Sequence, residues 1–249
     1  LEDAVESRGF GQTHIGGRDN NEDAFLVAEK LGLYVVADGM GGYEGGEIAS
    51  RMTVDGLHRF YDIVGPDGDV GMDRPGSGGR SVAEDMMRLA IRQASHDIEK
   101  IRRGRLDSMG STVAAVLIRD GKALIAHVGD SRVYRMRRGM LERMTRDHSL
   151  HAELEEAGVV SVGTLASRNV ITRAVGVPGY AVPDVSIVEA RSGDTFLMCS
   201  DGLTDDVPDG DIAEVLAAFE PKLAAEQLVQ RAWFAGAADN ITCVVARVS

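Results

Sequence analysis

Thr112-Val-Ala-Ala-Val-Leu-Ile-Arg-Asp-Gly-Lys-Ala-Leu-Ile-Ala-His-Val128 is two apolar runs joined by a short polar segment. Each run has the length of a buried strand and is too short for a helix. Asp120-Gly121 between them suits a tight hairpin turn, which makes the two strands antiparallel neighbours. Val133–Met136 and Leu141–Met144 repeat the design around Gly139. Upstream, Gly9–His14, Ala24–Ala28 and Leu33–Ala37 read as strands, with a turn at Leu31–Gly32. Downstream, Val185–Val188, Thr195–Cys199 and Thr242–Val248 do the same. The helical patterns come in pairs between these strand groups. Ile48, Met52, Leu57, Phe60 and Ile63 mark one helix, and Val82, Met86, Leu89, Ala90, Ala94, Ile98 and Ile101 mark a second. Ser81 and Glu84 stand at capping-box spacing before that second helix. Residues 149–157 read as a short helix, and two more fall near 209–219 and 221–235. Paired helices between strand groups do not fit alternating βαβ units. Two sheets packed face to face with helices outside, an α+β arrangement, fit this order better.

The chain of 249 residues reads as a single domain over 1–249. Residues 65–80, with six glycines and two prolines, read as a flexible loop, and 158–170, which lack any period, as a flap. Twenty-seven basic against 39 acidic residues leave a net charge of −12, which argues against a nucleic-acid surface and leaves room for cations. No apolar run reaches the roughly 20 residues of a membrane span. The first residues lack a signal-peptide pattern, although a chain that starts at Leu1 leaves room for a longer parent. Cys199 and Cys243 each lie in an apolar run and are expected as buried thiols in a reducing, cytoplasmic setting.

Two Asp-Gly pairs stand apart from the rest. Leu33-Tyr-Val-Val-Ala37 runs into Asp38-Gly39, and Thr195-Phe-Leu-Met-Cys-Ser200 runs into Asp201-Gly202. A third acid, Asp239, precedes the last strand. Acids where buried strands emerge are rigidly placed, and Mg²⁺ or Mn²⁺ prefer such oxygen ligands. Asp-Gly is also ordinary turn chemistry, and both readings stand at this level. Arg18-Asp-Asn-Asn-Glu22-Asp23 is either a solvated loop or an arginine fork for phosphate beside more acids. No phosphate-loop pattern and no serine elbow occurs. Metal-assisted attack of water on a phosphate is the chemistry these residues suit best.

Eight segments in this order resemble the metal-dependent serine/threonine protein phosphatases, the type-2C family, in bacterial form. They are Arg18-Asp-Asn-Asn-Glu-Asp23, Val36-Ala-Asp-Gly-Met-Gly-Gly42, Asp107-Ser-Met-Gly-Ser-Thr112 and Ala126-His-Val-Gly-Asp-Ser-Arg132. Thr145-Arg-Asp-His148, Ile171-Thr-Arg-Ala-Val-Gly176, Ser200-Asp-Gly-Leu203 and Ala238-Asp-Asn-Ile-Thr242 complete the set. The resemblance implies a central β-sandwich of two antiparallel sheets flanked by helical pairs, with a dinuclear centre at one end in which Asp38 bridges two Mn²⁺ or Mg²⁺ ions. It puts the Gly39 carbonyl on one ion, and Asp201 and Asp239 on the other. Glu22 and Asp23 would orient metal-bound water, Arg18 would hold the substrate phosphate, and Asp107 with Asp201 would match a third, weaker metal site. Asp130 in Gly129-Asp130-Ser-Arg132 is expected to shape a turn, with Arg173 and Asn240 in supporting roles.

The implied activity is hydrolysis of phosphoserine and phosphothreonine in proteins by a metal-bridging hydroxide, opposing a serine/threonine kinase. The implied partners are phosphorylated proteins, that kinase among them, with no nucleic acid and a monomer as the acting form. One departure stands out. Eukaryotic members carry histidine directly after the first Asp-Gly pair, whereas this chain has Met40, which cannot protonate a leaving group. His148 is the one alternative donor the motifs offer. A phosphoprotein-binding pseudophosphatase and a metal phosphodiesterase are the competing readings.

Overall fold

A computed structural model describes residues 6–42, 44–159 and 170–249. One antiparallel sheet has the order β1 (Ser7–His14), β11 (Ile241–Val248), β10 (Thr195–Cys199), β7 (Arg132–Arg137) and β8 (Met140–Arg143). The other runs β2 (Asp23–Ala28), β3 (Leu33–Met40), β5 (Val113–Arg119), β6 (Lys122–Val128) and β9 (Asp184–Glu189), with the short β4 (Gly110–Ser111) paired to the end of β3. Every pairing is antiparallel, and β5 and β6 form the hairpin expected around Asp120-Gly121.

Strand alternation builds three apolar layers. Tyr34, Val36, Val116 and Ile125 point from the second sheet toward Val133, Phe196, Met198 and Val244 of the first. The alternate residues Leu33, Val35, Ala37 and Leu117 face outward, against α1 (Gly45–Val64) and α2 (Val82–Ile101). On the far side Leu197, Cys199, Cys243 and Val245 pack under α5 (Asp209–Ala218) and α6 (Pro221–Ala235). Two shorter helices, α3 (Leu150–Glu156) and α4 (Asp201–Thr204), lie in the connections. Strands covered on both faces explain why they read as continuous apolar runs. Two glycines of β1 let the sheets close. A Cβ on Gly9 would lie 2.4 Å from the Tyr34 ring, and one on Gly11 would lie 2.3 Å from Phe25.

The capping box forms as read, with Ser81 Oγ accepting from Glu84 N–H and Glu84 accepting from Ser81 N–H at 2.7 Å. Removing either partner typically costs about 1 kcal/mol. The helix faces match the sequence reading at Leu57, Ala90, Ala94 and Ile98 and differ elsewhere. Ile63 of α1 is 83% exposed, and on α2 Leu89 is 49% exposed while Ala83, Met87 and Ile91 are buried. Small and large apolar residues are mixed along α2, and close packing against α1 selects the stripe that contains the alanines. The loop at 65–80 is tied down in its middle, because Val70 and Met72 are buried in the core under the helices. Most of the flap at 158–170 lies outside the described residues. Cys199 and Cys243 are register partners on β10 and β11, and both are free, buried thiols. Among the described residues no helix is long and apolar enough to cross a membrane.

Candidate metal centre

β3 does not stop at Ala37 but carries Asp38, Gly39 and Met40 as strand residues. Register places Asp23 of β2 directly opposite Asp38. Two carboxylates facing each other across a ladder repel, and a bound cation would compensate that repulsion. The backbone around Asp38 is fixed from the other side. Its N–H donates to Thr112 Oγ1 at 2.9 Å and its carbonyl accepts from Thr112 N–H at 2.8 Å, while Thr112 Oγ1 lies 2.7 Å from Ser131 Oγ. Gly39 has no room for a side chain. A Cβ there would lie 2.0 Å from the Gly46 carbonyl oxygen and 2.6 Å from that of Glu22.

Asn240 joins the rest. Its side chain accepts from Glu22 N–H at 2.8 Å and donates to the Ile15 and Asn20 carbonyls at 2.8 and 2.9 Å. One buried amide thus ties the loop bearing Arg18 and Glu22 to the strand that follows Asp239. Asp201 opens α4 directly after β10, and Ser200 Oγ donates to Asp23 Oδ2 at 2.9 Å. Arg18 reaches Asp239 Oδ2 at 2.6 Å from an exposed position, and its guanidinium also feels Asp38 and Glu22.

The electrostatics are those of a crowded anion nest. Loss of solvent, followed by repulsion from Asp201 and Asp239, pushes the Asp23 carboxyl up to about 7. Asp38 is driven well above the usual range by burial and by Asp23, Asp201, Asp130 and Asp239. Burial, then Asp205 and Asp239, raises Asp201 to about 6. One oxygen each of Asp23 and Asp201 is buried without a hydrogen-bond partner. Orphaned carboxylate oxygens, mutual repulsion and an all-oxygen donor set are what a site for hard divalent cations requires, so the residues fit the ions.

The structure therefore gathers Arg18, Glu22, Asp23, Asp38, Gly39, Asp201 and Asp239 at one end of the sandwich. It does not bring Asp107 into the nest. That residue ends a short 3-10 turn, Gly104–Leu106, is exposed, and is not among the largest influences on the buried carboxylates. Asp130, read as a turn former, is in the nest instead. It is 8% exposed and raised to about 8 by burial, Asp201 and Asp147. The sequence held a signal for it, since Asp130 also follows an apolar strand and a glycine.

His127, His148 and Asp184 form a second cluster with metal-ligand geometry, on the β6–β9 side. The Gly129 N–H donates to His148 Nδ1 at 3.1 Å, so the neutral ring carries its proton on Nε2, 3.1 Å from Asp184 Oδ2. Arg173 Nη1 lies 2.9 Å from Asp184 Oδ1. A protonated nitrogen and a guanidinium fill the place of an ion, and the cluster is a clasp. Thr172 N–H donates to the His148 carbonyl and Leu150 N–H to that of Val170, so the clasp closes the base of the segment containing 158–170. His148 is 5% exposed, and its bond to Asp184 gives its Nε2 proton a structural use in the clasp. Asp147 is held by Arg132 at 2.9 Å and by Arg143.

A four-layer sandwich with this nest of carboxylates at one end defines a protein built to hold divalent cations. Residues 10–235 match the model of the protein phosphatase 2C family, and the chain belongs to that family. The serine/threonine protein phosphatase PstP of Mycobacterium tuberculosis is 34% identical over 235 residues, which cover 93% of this chain and 43% of PstP. The chain thus spans less than half the length of that relative. Among solved structures, PppA, a regulatory component of T6SS in Pseudomonas aeruginosa, superposes with a TM-score of 0.85 at 33% identity, covering 99% of this chain and 100% of PppA. The catalytic domain of PstP in complex with two manganese ions gives 0.78 at 32% identity, covering 98% and 99%.

Proposed function

We propose that this chain hydrolyses phosphoserine and phosphothreonine in proteins in a reaction that depends on Mn²⁺ or Mg²⁺. The observation that carries the reading is the nest itself, with Asp23, Asp38, Asp201 and Asp239 converging and buried oxygens left unpaired. Asp38, the Gly39 carbonyl, Asp201 and Asp239 would hold two core ions. Burial of Asp130 against Asp201 supports Asp130, over the exposed Asp107, as a ligand for a third and weaker one. When bound, such ions acidify water for attack and balance charge on the phosphoryl oxygens.

The chain's own residues do the rest. Asp23, facing Asp38 across the ladder, and Glu22, stapled by Asn240, orient the attacking water. Arg18, exposed at the mouth, offers its fork to the phosphate, and Asp239 keeps that fork in place meanwhile. Met40 supplies no proton, so the leaving alkoxide takes one from water in the nest. The same reading makes phosphorylated proteins, a serine/threonine kinase among them, the substrates. It makes the cytoplasm the setting and a monomer the acting form.

The test is hydrolysis of phosphothreonine peptide, phosphotyrosine peptide and DNA, with Mn²⁺ and with chelator. Turnover of the first alone, lost on chelation, is expected. Cleavage of DNA would support a phosphodiesterase, and peptide binding without turnover would support a pseudophosphatase. Arg18→Ala should raise the Michaelis constant for phosphopeptide about tenfold while Mn²⁺ affinity changes little. A collapse of metal affinity with an unchanged Michaelis constant would make Arg18 structural. Asp130→Asn should lower turnover at limiting Mn²⁺ by roughly 10–100-fold, the usual cost of losing a group that tunes a metal site. Asp107→Ala, on an exposed turn, should stay within about twofold. Mn²⁺ titrations of both variants decide between them.

A further inference from the structure

This acidic chain crowds Lys100, Arg102, Arg103 and Arg105 into six residues at the end of α2. Their side chains divide into two kinds. Lys100 is paired with Asp97 at 2.9 Å. Arg102 is spent on the backbone, donating to the Asp107 carbonyl through Nε at 2.9 Å and to the Gly176 carbonyl through Nη1 at 2.7 Å. That clamp holds the turn against the segment that follows the His148 clasp. Arg103 and Arg105 are exposed on the clamped turn. Arg103 makes one bond, at 3.2 Å to the Lys100 carbonyl, and among the described residues no carboxylate lies within ion-pair distance of either. Two cations are therefore held out on a fixed backbone.

The turn borders the metal centre. The Leu106 side chain lies 3.9 Å from where a Cβ on Gly45 would stand, and a Cβ on Gly46 would lie 2.5 Å from Glu22 Oε2. Ser108 Oγ donates to the Gly41 carbonyl at 2.8 Å, and Gly110 and Ser111 pair with Met40 and Gly39. From Arg105 the chain thus passes one residue to a contact with α1 beside Glu22, and six to the partner of Gly39.

We propose that Arg103 and Arg105 form a recognition rim for a second anionic group on the substrate chain, a carboxylate or a second phosphate flanking the residue to be dephosphorylated. The proposal rests on the phosphatase reading above and adds its substrate preference. A chain of net charge −12 repels an anionic peptide, and unpaired cations at the edge of the site offset that repulsion where the flanking residues pass. Because the turn is clamped by Arg102, little order is lost when the anion docks.

The test uses three phosphothreonine peptides of one backbone, with neutral flanks, with Asp/Glu flanks, or with a second phosphothreonine, alongside p-nitrophenyl phosphate. At low salt the protein should favour the anionic peptides by about three- to tenfold in kcat/KM, through KM, the scale of two exposed ion pairs, and 0.5 M salt should erase the preference. Arg103→Gln/Arg105→Gln should abolish the preference while leaving the neutral peptide and p-nitrophenyl phosphate unchanged, and Arg103→Lys/Arg105→Lys should keep most of it. Arg8→Gln/Arg92→Gln, which removes the same charge elsewhere, should keep all of it. A gain confined to the doubly phosphorylated peptide assigns the rim to phosphate, and equal gains assign it to charge alone. Equal rates on all three peptides, or equal loss in the Arg8/Arg92 control, overturns the rim and leaves the phosphatase standing. No hydrolysis of any substrate overturns both.

Discussion

Asp38→Ala should abolish turnover of phosphopeptide, by on the order of 10³-fold or more, and in the same protein leave the metal-free fold as stable as before or more so. The two halves have one cause. Asp38 faces Asp23 across the β2–β3 ladder and feels Asp201, Asp130 and Asp239 as well. In the proposed reaction it would serve two ions at once. Without ions it is the most crowded acid of the nest, and its removal relieves its neighbours. An ordinary core truncation would behave in the opposite way, since it lowers stability and takes activity with it. Calorimetric Mn²⁺ titration should find the core pair lost, and melting with chelator should find no drop in Tm against chelated wild type. Two tightly bound ions in the variant would sink the bridging role. A large loss of apoprotein stability would mean that Asp38 holds the fold.

The sandwich was legible because its strands are buried on both faces, so that Leu33–Ala37 and Thr195–Cys199 announce themselves as apolar runs whatever lies around them. The hairpin at Asp120-Gly121 then fixes an antiparallel neighbour. Helix faces were less legible. In α2 alanines and larger apolar residues both recur at helical spacing, and only close approach to α1 decides that Ala83, Met87 and Ile91 go inward and Leu89 outward. The acids at the ends of β3 and β10 were legible for the same reason as the strands. Asp130 was missed because the glycine precedes it, and a Gly-Asp pair after a strand reads as a turn. Asp107 lies on an exposed turn whose neighbours Gly110 and Ser111 pair with the end of β3, a placement that its own segment does not announce. Asn240 was expected only in a supporting role, and its bonds give that role its content. An amide that bonds three backbone groups of a distant loop is visible only once β11 and that loop meet.

The same crowding makes the stability conferred by metal depend steeply on pH. In the metal-free protein Asp201, Asp23 and Asp130 titrate at about 6, 7 and 8, far above an unfolded aspartate near 3.8. Between about pH 4 and 8 the folded state therefore holds protons that the unfolded state has released, and stability falls as pH rises through that window. Saturating Mn²⁺ reverses the sign for these acids. They are ionised in the folded complex at lower pH than in the unfolded chain, and stability is lost as pH falls and protons compete with the ions. His127, pushed down to about 4 by burial and the neighbouring His148, contributes a rise in stability between about pH 4 and 6.5 in both forms. It cancels when the two are subtracted. The quantity to measure is thus Tm with Mn²⁺ minus Tm with chelator, at pH 5, 6, 7 and 8. It should be near zero at pH 5 and grow at each step. A site filled at a hundred times its Kd adds about 2.7 kcal/mol, roughly 5–10 °C in a chain of this size. Asp38→Ala should flatten the curve. A difference that stays constant across the range would mean that the ions do not bind at the titrating acids, and would move the metal centre away from β3, β10 and β11 altogether.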